Sequence, residues 1–170
     1  TALADGRLTP AAALLAARAI GEAGDARSVP AAVRALEVTQ GRVRDELTTA
    51  IMNVAVRSYF DGHHLRPSEL GFAAIRADDR LGIVALLWLD GDDPRLRYAG
   101  AWLAGVRREP AAVDGLRRLL RAGLGLEFVA LAADSLRRIG VHDGVAEVLI
   151  DGMQRDELYL PTALWRWSRE

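Results

Sequence analysis

A pattern of helix starts and stops returns along this chain and restricts its fold more than any other feature. Thr9-Pro10, Asp93-Pro94 and Glu109-Pro110 each set an oxygen-bearing side chain just before a proline. That pairing suits a helix entrance, because the first residue can cap free N–H groups and the proline has no N–H to satisfy. Gly24 and Gly140 close apolar runs, as helix ends commonly do. At a shift of 32 residues Ala101, Ala104 and Val113 fall on Ala133, Leu136 and Val145, and at a shift of 84 they fall on Ala17, Ile20 and Val29. Helix pairs recurring at a fixed period are the signature of a stacked α-solenoid.

The intervening residues fill in this frame. A helix is expected over residues 11–23, with Leu14, Leu15, Ala19 and Ile20 near one face, then a turn at 25–28 and a second helix from Val29-Pro30 to Val38. A helix from Asp93-Pro94 to about Arg107 leads to a partner whose apolar side carries Val113, Leu116, Leu119 and Leu120. Residues 127–139 form the next, and Val145, Val148, Leu149 and Met153 mark the last. The middle breaks the register: a long helix over 43–60, an irregular link over 61–68, and helices near 68–77 and 80–89. Hydrophobic residues make up 51% of the chain and aromatic ones only 6%, so small aliphatic side chains must fill the core. Alanine and leucine dominate, and both favour helix. The class is all-α, and 170 residues suit one domain.

The segment Ala17-Arg18-Ala19-Ile20-Gly21-Glu22-Ala23-Gly24-Asp25-Ala26-Arg27-Ser28-Val29-Pro30-Ala31-Ala32-Val33 resembles a HEAT-like repeat of the type first described in phycobilisome lyases. Asp93-Pro94-Arg95-Leu96-Arg97-Tyr98-Ala99 resembles the start of another. The resemblance covers three of about four to five units. It implies a single HEAT-like domain over 1–170: a right-handed α-solenoid of antiparallel helix pairs with an irregular middle unit and a C-terminal cap. In such stacks the second helix of each pair usually lines the concave face. That would place Arg117, Arg118 or Arg121 in a groove with Asp114 nearby, and Arg34, Glu37, Glu147, Asp151 and Gln154 along the same surface. These repeats serve scaffolds, adaptors, chromophore lyases and other enzymes, so the fold does not supply the activity.

Charge and cysteine usage narrow the classes. Net charge is −1, which argues against a nucleic-acid footprint. All 22 basic residues are arginine, a bias we ascribe first to a GC-rich genome. Residues 107–138 carry seven arginines and four acids, a balance of +3, while 139–170 carry three arginines and six acids, a balance of −3. With no cysteine, disulfides, thiol catalysis and thiolate metal sites are excluded. The N-terminal residues lack the pattern of a signal peptide. The longest apolar run, 83–89, is far short of a membrane span. A cytoplasmic location without membrane association is the expectation.

Six positions or clusters could carry chemistry. Asp90-Gly91-Asp92-Asp93 groups carboxylates that hard cations favour, but the remaining ligands of a calcium loop are missing and Asp93 has a cap to form, so no metal is expected. His63 and His64, with Tyr59, Asp61 and Arg66, lie in or beside the irregular link. They are either polar loop residues or acid–base groups of an enzyme. Trp102 sits mid-helix and belongs either to the core or to a groove. Trp88 lies in a helix apolar all round, where burial is the simple reading. In the tail, Trp165 and Trp167 either cap the last unit or form an aromatic interface, including a homodimer contact. The cluster Arg117, Arg118 and Arg121 is either a solvated face or a groove for an anion or acidic peptide.

No phosphate loop, dinucleotide fingerprint, nucleophile elbow or zinc-protease motif occurs, so no cofactor is expected. The leading expectation is a non-catalytic scaffold that binds a protein or peptide. The alternative is a small enzyme on the same scaffold, either a lyase-like or tailoring enzyme using Tyr59, Asp61, His63 and His64, or one resembling HEAT-like alkylpurine DNA glycosylases. Those use Trp, Asp and Arg around an extrahelical base, residue types found here in Trp88, Asp90, Asp92, Arg95, Arg97 and Trp102.

Overall fold

A computed structural model describes residues 2–3, 5–61, 69–122 and 125–154, and these are helical wherever they have regular structure. Nine α-helices are present among them: α1 (Pro10–Ala23), α2 (Val29–Val38), α3 (Gly41–Asp61), α4 (Glu69–Ala77), α5 (Arg80–Asp90), α6 (Pro94–Arg107), α7 (Val113–Arg121), α8 (Leu126–Ile139) and α9 (Val145–Gln154). The entrances at Thr9-Pro10 and Asp93-Pro94 open α-helices as expected, whereas at Glu109-Pro110 the glutamate makes no side-chain cap and the proline opens a 3-10 turn ahead of α7. Thr9 accepts from the Ala12 N–H and Asp93 from the Arg95 N–H, each one residue ahead of a proline at the helix start. The links before α2 and α7 are 3-10 turns, Ala26–Ser28 and Pro110–Ala112, so the shift of 84 residues holds for turns as well as helices.

Two rows of contacts organise the helices. α1 packs on α3, α3 on α6, and α6 on α8; beside them α2 packs on α3, α5 on α6, and α7 on α8. α7 also touches α5, while short α4 fills the middle against α6 and the first 3-10 turn. The packing unit is displaced by one helix from the sequence unit. The sequence pairs α6 with α7 across Glu109-Pro110, whereas the intimate neighbours are α5 with α6 and α7 with α8. A proline-led 3-10 turn swings the chain away, while a short link such as 91–93 folds it straight back.

Small residues let these helices approach. A Cβ added at Gly105 of α6 would lie 2.8 Å from the Cβ and 2.9 Å from the Cα of Ser135 on α8. Ser135 then donates its hydroxyl to the Ala101 carbonyl at 2.8 Å, which satisfies a buried polar group between the two helices. The core is continuous from Ala13 and Ala17 through Leu47, Ile51, Ile75, Leu81, Leu103 and Leu116 to Leu131, Leu136 and Leu149.

Arginine closes several helix ends from a neighbouring element. Arg57 of α3 donates to the carbonyls of Ile20, Gly21 and Gly24 at the end of α1. Arg107 of α6 donates to the carbonyls of Ile75, Arg76 and Asp78 at 2.8, 2.9 and 2.7 Å, at the end of α4. Arg44 reaches the Leu36 carbonyl near the end of α2 at 2.8 Å. Each guanidinium meets carbonyls of a helix's last turn or just beyond it, where most lack an intrahelical donor, and sits at the negative end of a helix dipole.

Candidate functional site

The helix α7 follows its 3-10 turn and buries Leu116, Leu119 and Leu120 against α8. With those leucines inward, helical spacing turns Asp114, Arg117, Arg118 and Arg121 to the other side. They form one wall of a cleft of about 590 Å³, with Leu120 at its base. Asp143, Gly144 and Val145, at the entrance to α9, form the opposite wall. The expected cluster is therefore assembled in space: all three arginines and Asp114 share one concavity.

Its charges are unequally engaged. Arg118 pairs with Asp90 at the end of α5. Among the described residues neither Arg117 nor Arg121 has an ion-pair or hydrogen-bond partner. A guanidinium carries five donors in a rigid plane matched to carboxylate and phosphate oxygens. Two of them one helical turn apart form an array that can receive paired anionic oxygens.

The neighbouring helix α5 extends this surface. Arg80, Ile83, Leu87 and Asp90 follow one another at helical spacing on its outer side. Ile83 is 64% exposed and Leu87 66%. This corrects the expectation that α5 is buried all round: its inner side, Leu81, Ala85 and Leu89, is buried, and the outer one is not. Arg80 pairs with Glu37 of α2, and Arg34 of α2 pairs with Asp78 just before α5. Asp90 pairs with Arg118 of α7. The ends of the exposed α5 stripe are thus tied to α2 on one side and α7 on the other. Sequence reasoning missed this stripe because the packing of Leu81, Ala85 and Leu89 toward α6, which decides the side of α5 left open, has no signal within an all-apolar helix.

The remaining candidates are dispersed. Trp102 is only 3% exposed and meets the Phe72 ring edge-on at 6.3 Å, so it belongs to the core and not to a groove. The cause is the position of α6, enclosed by α3, α5 and α8, which buries every residue from 98 to 106. Trp88 is half-buried against the core. Asp90 is committed to Arg118, and Asp93 to its cap and to Arg95 at 2.8 Å. Asp92 projects into solvent beside Arg97 at 3.7 Å. These acids do not converge, and the Trp–Asp–Arg set proposed for an extrahelical base is divided between core and solvent.

Tyr59 is buried at 5% exposure. It lies near Tyr98, whose hydroxyl is buried without a hydrogen-bond partner and whose pKa is raised, first by burial and then by Tyr59 and Glu127. The Tyr98 ring meets Phe128 edge-on at 5.4 Å. Asp61 is described only as the last residue of α3, and His63, His64, Trp165 and Trp167 lie outside the described residues. A second hollow of about 280 Å³ lies between α1 and α3, where Arg18 pairs with Glu46 across it. Among the described residues no helix is long and apolar enough to cross a membrane. Compared with protein-family models, curated proteins and solved structures, the chain matches none.

Proposed function

We propose that this chain is a non-catalytic binding module, a right-handed HEAT-like α-solenoid whose concave face holds a protein or peptide partner. The observation that supports this reading is the α7 cleft, where Arg117 and Arg121 stand without an ion pair among the described residues. Helices α2, α5 and α7 would supply the concave row, with the ion pairs Arg80–Glu37 and Arg118–Asp90 as ties between successive units. The partner is a macromolecule, because the cleft presents separate donors rather than one convergent set of reacting groups.

The test is retention of a partner by the full-length chain. Immobilised protein is mixed with the products of genes adjacent to its own, and any complex is measured by titration calorimetry. A stoichiometric complex weakened by Arg117→Glu with Arg121→Glu is the expected result. A protein that retains no partner yet turns over a small molecule sinks the proposal.

A further inference from the structure

We infer that the outer side of α5 and the α7 cleft form one docking surface for an acidic, amphipathic segment of a protein partner. The inference rests on the binding-module reading and names the chemistry of what is bound. Two observations carry it. Ile83 and Leu87, one helical turn apart, are 64% and 66% exposed to water. On the neighbouring helix, beyond the Asp90–Arg118 pair, Arg117 and Arg121 have no ion-pair or hydrogen-bond partner among the described residues.

The two features demand different groups from one ligand. The aliphatic pair on α5 is flanked by ion pairs already satisfied, Arg80 with Glu37 and Asp90 with Arg118. What it can gain is cover from water by aliphatic or aromatic side chains. The arginines on α7 can gain charge-assisted hydrogen bonds, and a carboxylate offers the matching planar geometry. One ligand spanning both features therefore needs an apolar anchor and carboxylates set apart from each other. Asp114 and Asp143 stand in the same cleft. They disfavour a poly-anion laid along the whole face and favour carboxylates placed opposite Arg117 and Arg121 alone.

The experiment uses a random peptide library displayed on phage and selected on the full-length chain, followed by fluorescence anisotropy with the enriched peptides. Enriched sequences should combine an aliphatic or aromatic anchor with Asp or Glu set apart from it in the same peptide. Their affinity should fall about tenfold or more both for Leu87→Ser and for Arg117→Glu with Arg121→Glu, and should be unchanged for Leu15→Ser, an exposed apolar site elsewhere on the fold. Every substitution is on an exposed or half-exposed side chain, and thermal midpoints near wild type verify the fold. Enriched peptides that lack acidic residues, or that bind both α5 and α7 variants normally, overturn the inference but leave a binding module with another face. A DNA or RNA duplex that binds in a salt-dependent manner and is lost only in the arginine variant also overturns it. Enrichment of no peptide, together with no partner retained among gene-neighbour products, overturns the binding-module reading as well.

Discussion

Position 108 shows how far single residues can depart from the pattern around them. Shifts of 32 and 84 residues place it on Gly140 and Gly24, yet here it is arginine. Arg108 has φ 56°, the left-handed region in which Gly140 also sits at φ 96°. Both close their helices with N–H bonds back to earlier carbonyls, Arg108 to Gly105 at 3.2 Å and Gly140 to Arg137 at 2.9 Å. A side chain in that region costs about 1–2 kcal/mol, partly offset by the entropy that glycine loses on folding. Arg108→Gly should raise the free energy of unfolding by about 0.5–1 kcal/mol in urea melts; a loss of stability would mean that the Arg108 side chain contributes more than its backbone costs. Gly105→Ala should do the opposite. Its methyl meets the backbone and Cβ of Ser135, and a loss of about 1–3 kcal/mol is expected from overpacking. Arg57 tests whether arginine is more than a compositional bias. It holds three carbonyls at once, and the Gly24 bond is 2.8 Å. Lysine has no planar fork, so Arg57→Lys should cost about 1–2 kcal/mol, while Arg42→Lys, exposed on α3, should be neutral.

Helix entrances were the most legible elements, because their signals are local. Asp93 and Asp25 behave as the spacing of acid and helix start suggests, accepting from the N–H groups of Arg95 and Arg27, each at 2.9 Å. Both carboxyls are held below the ordinary aspartate range, chiefly by the side-chain hydrogen bonds of Arg95 and Arg27. The sign of the linkage follows from the direction. A carboxyl with a lowered folded pKa contributes stability above its unfolded value, and that contribution is lost as pH falls through the folded one. Acid unfolding should therefore steepen below about pH 4, and Asp93→Asn should flatten the curve there more than Asp92→Asn, which alters an exposed acid. Asp93→Ala should cost about 0.5–2 kcal/mol at neutral pH through loss of the cap. Helix ends were less legible where the closing group comes from elsewhere. Nothing near Ala77 announces that Arg107, on another helix, supplies its donors. The pairing of α5 with α6 was hidden for a similar reason, since a proline marks where a helix starts but not which neighbour it will lie against.

For the whole molecule, the helical class and the recurring units were legible because burial in a helical array repeats a local pattern. The candidate site was legible only in part. Arg117, Arg118, Arg121 and Asp114 lie within eight residues on one helix, so spacing alone brings them together. Trp102 looked the same as a groove residue until α3, α5 and α8 enclosed it. The exposure of Ile83 and Leu87 follows from which side of α5 packs on α6 and had no local signal. The arginine clamps carry a consequence for how this array opens. A helix held by few neighbours opens more readily than one enclosed on several sides, and α1 packs chiefly on α3. Here Arg57, well inside α3, grips the far end of the first helix through residues 20–24. Freeing α1 must break those bonds in one event, so its last-turn amides should exchange with deuterium at nearly the rate of the α3 amides around Arg57. In Arg57→Lys the same amides should exchange first, turning one cooperative block into a loose end and a shortened remainder.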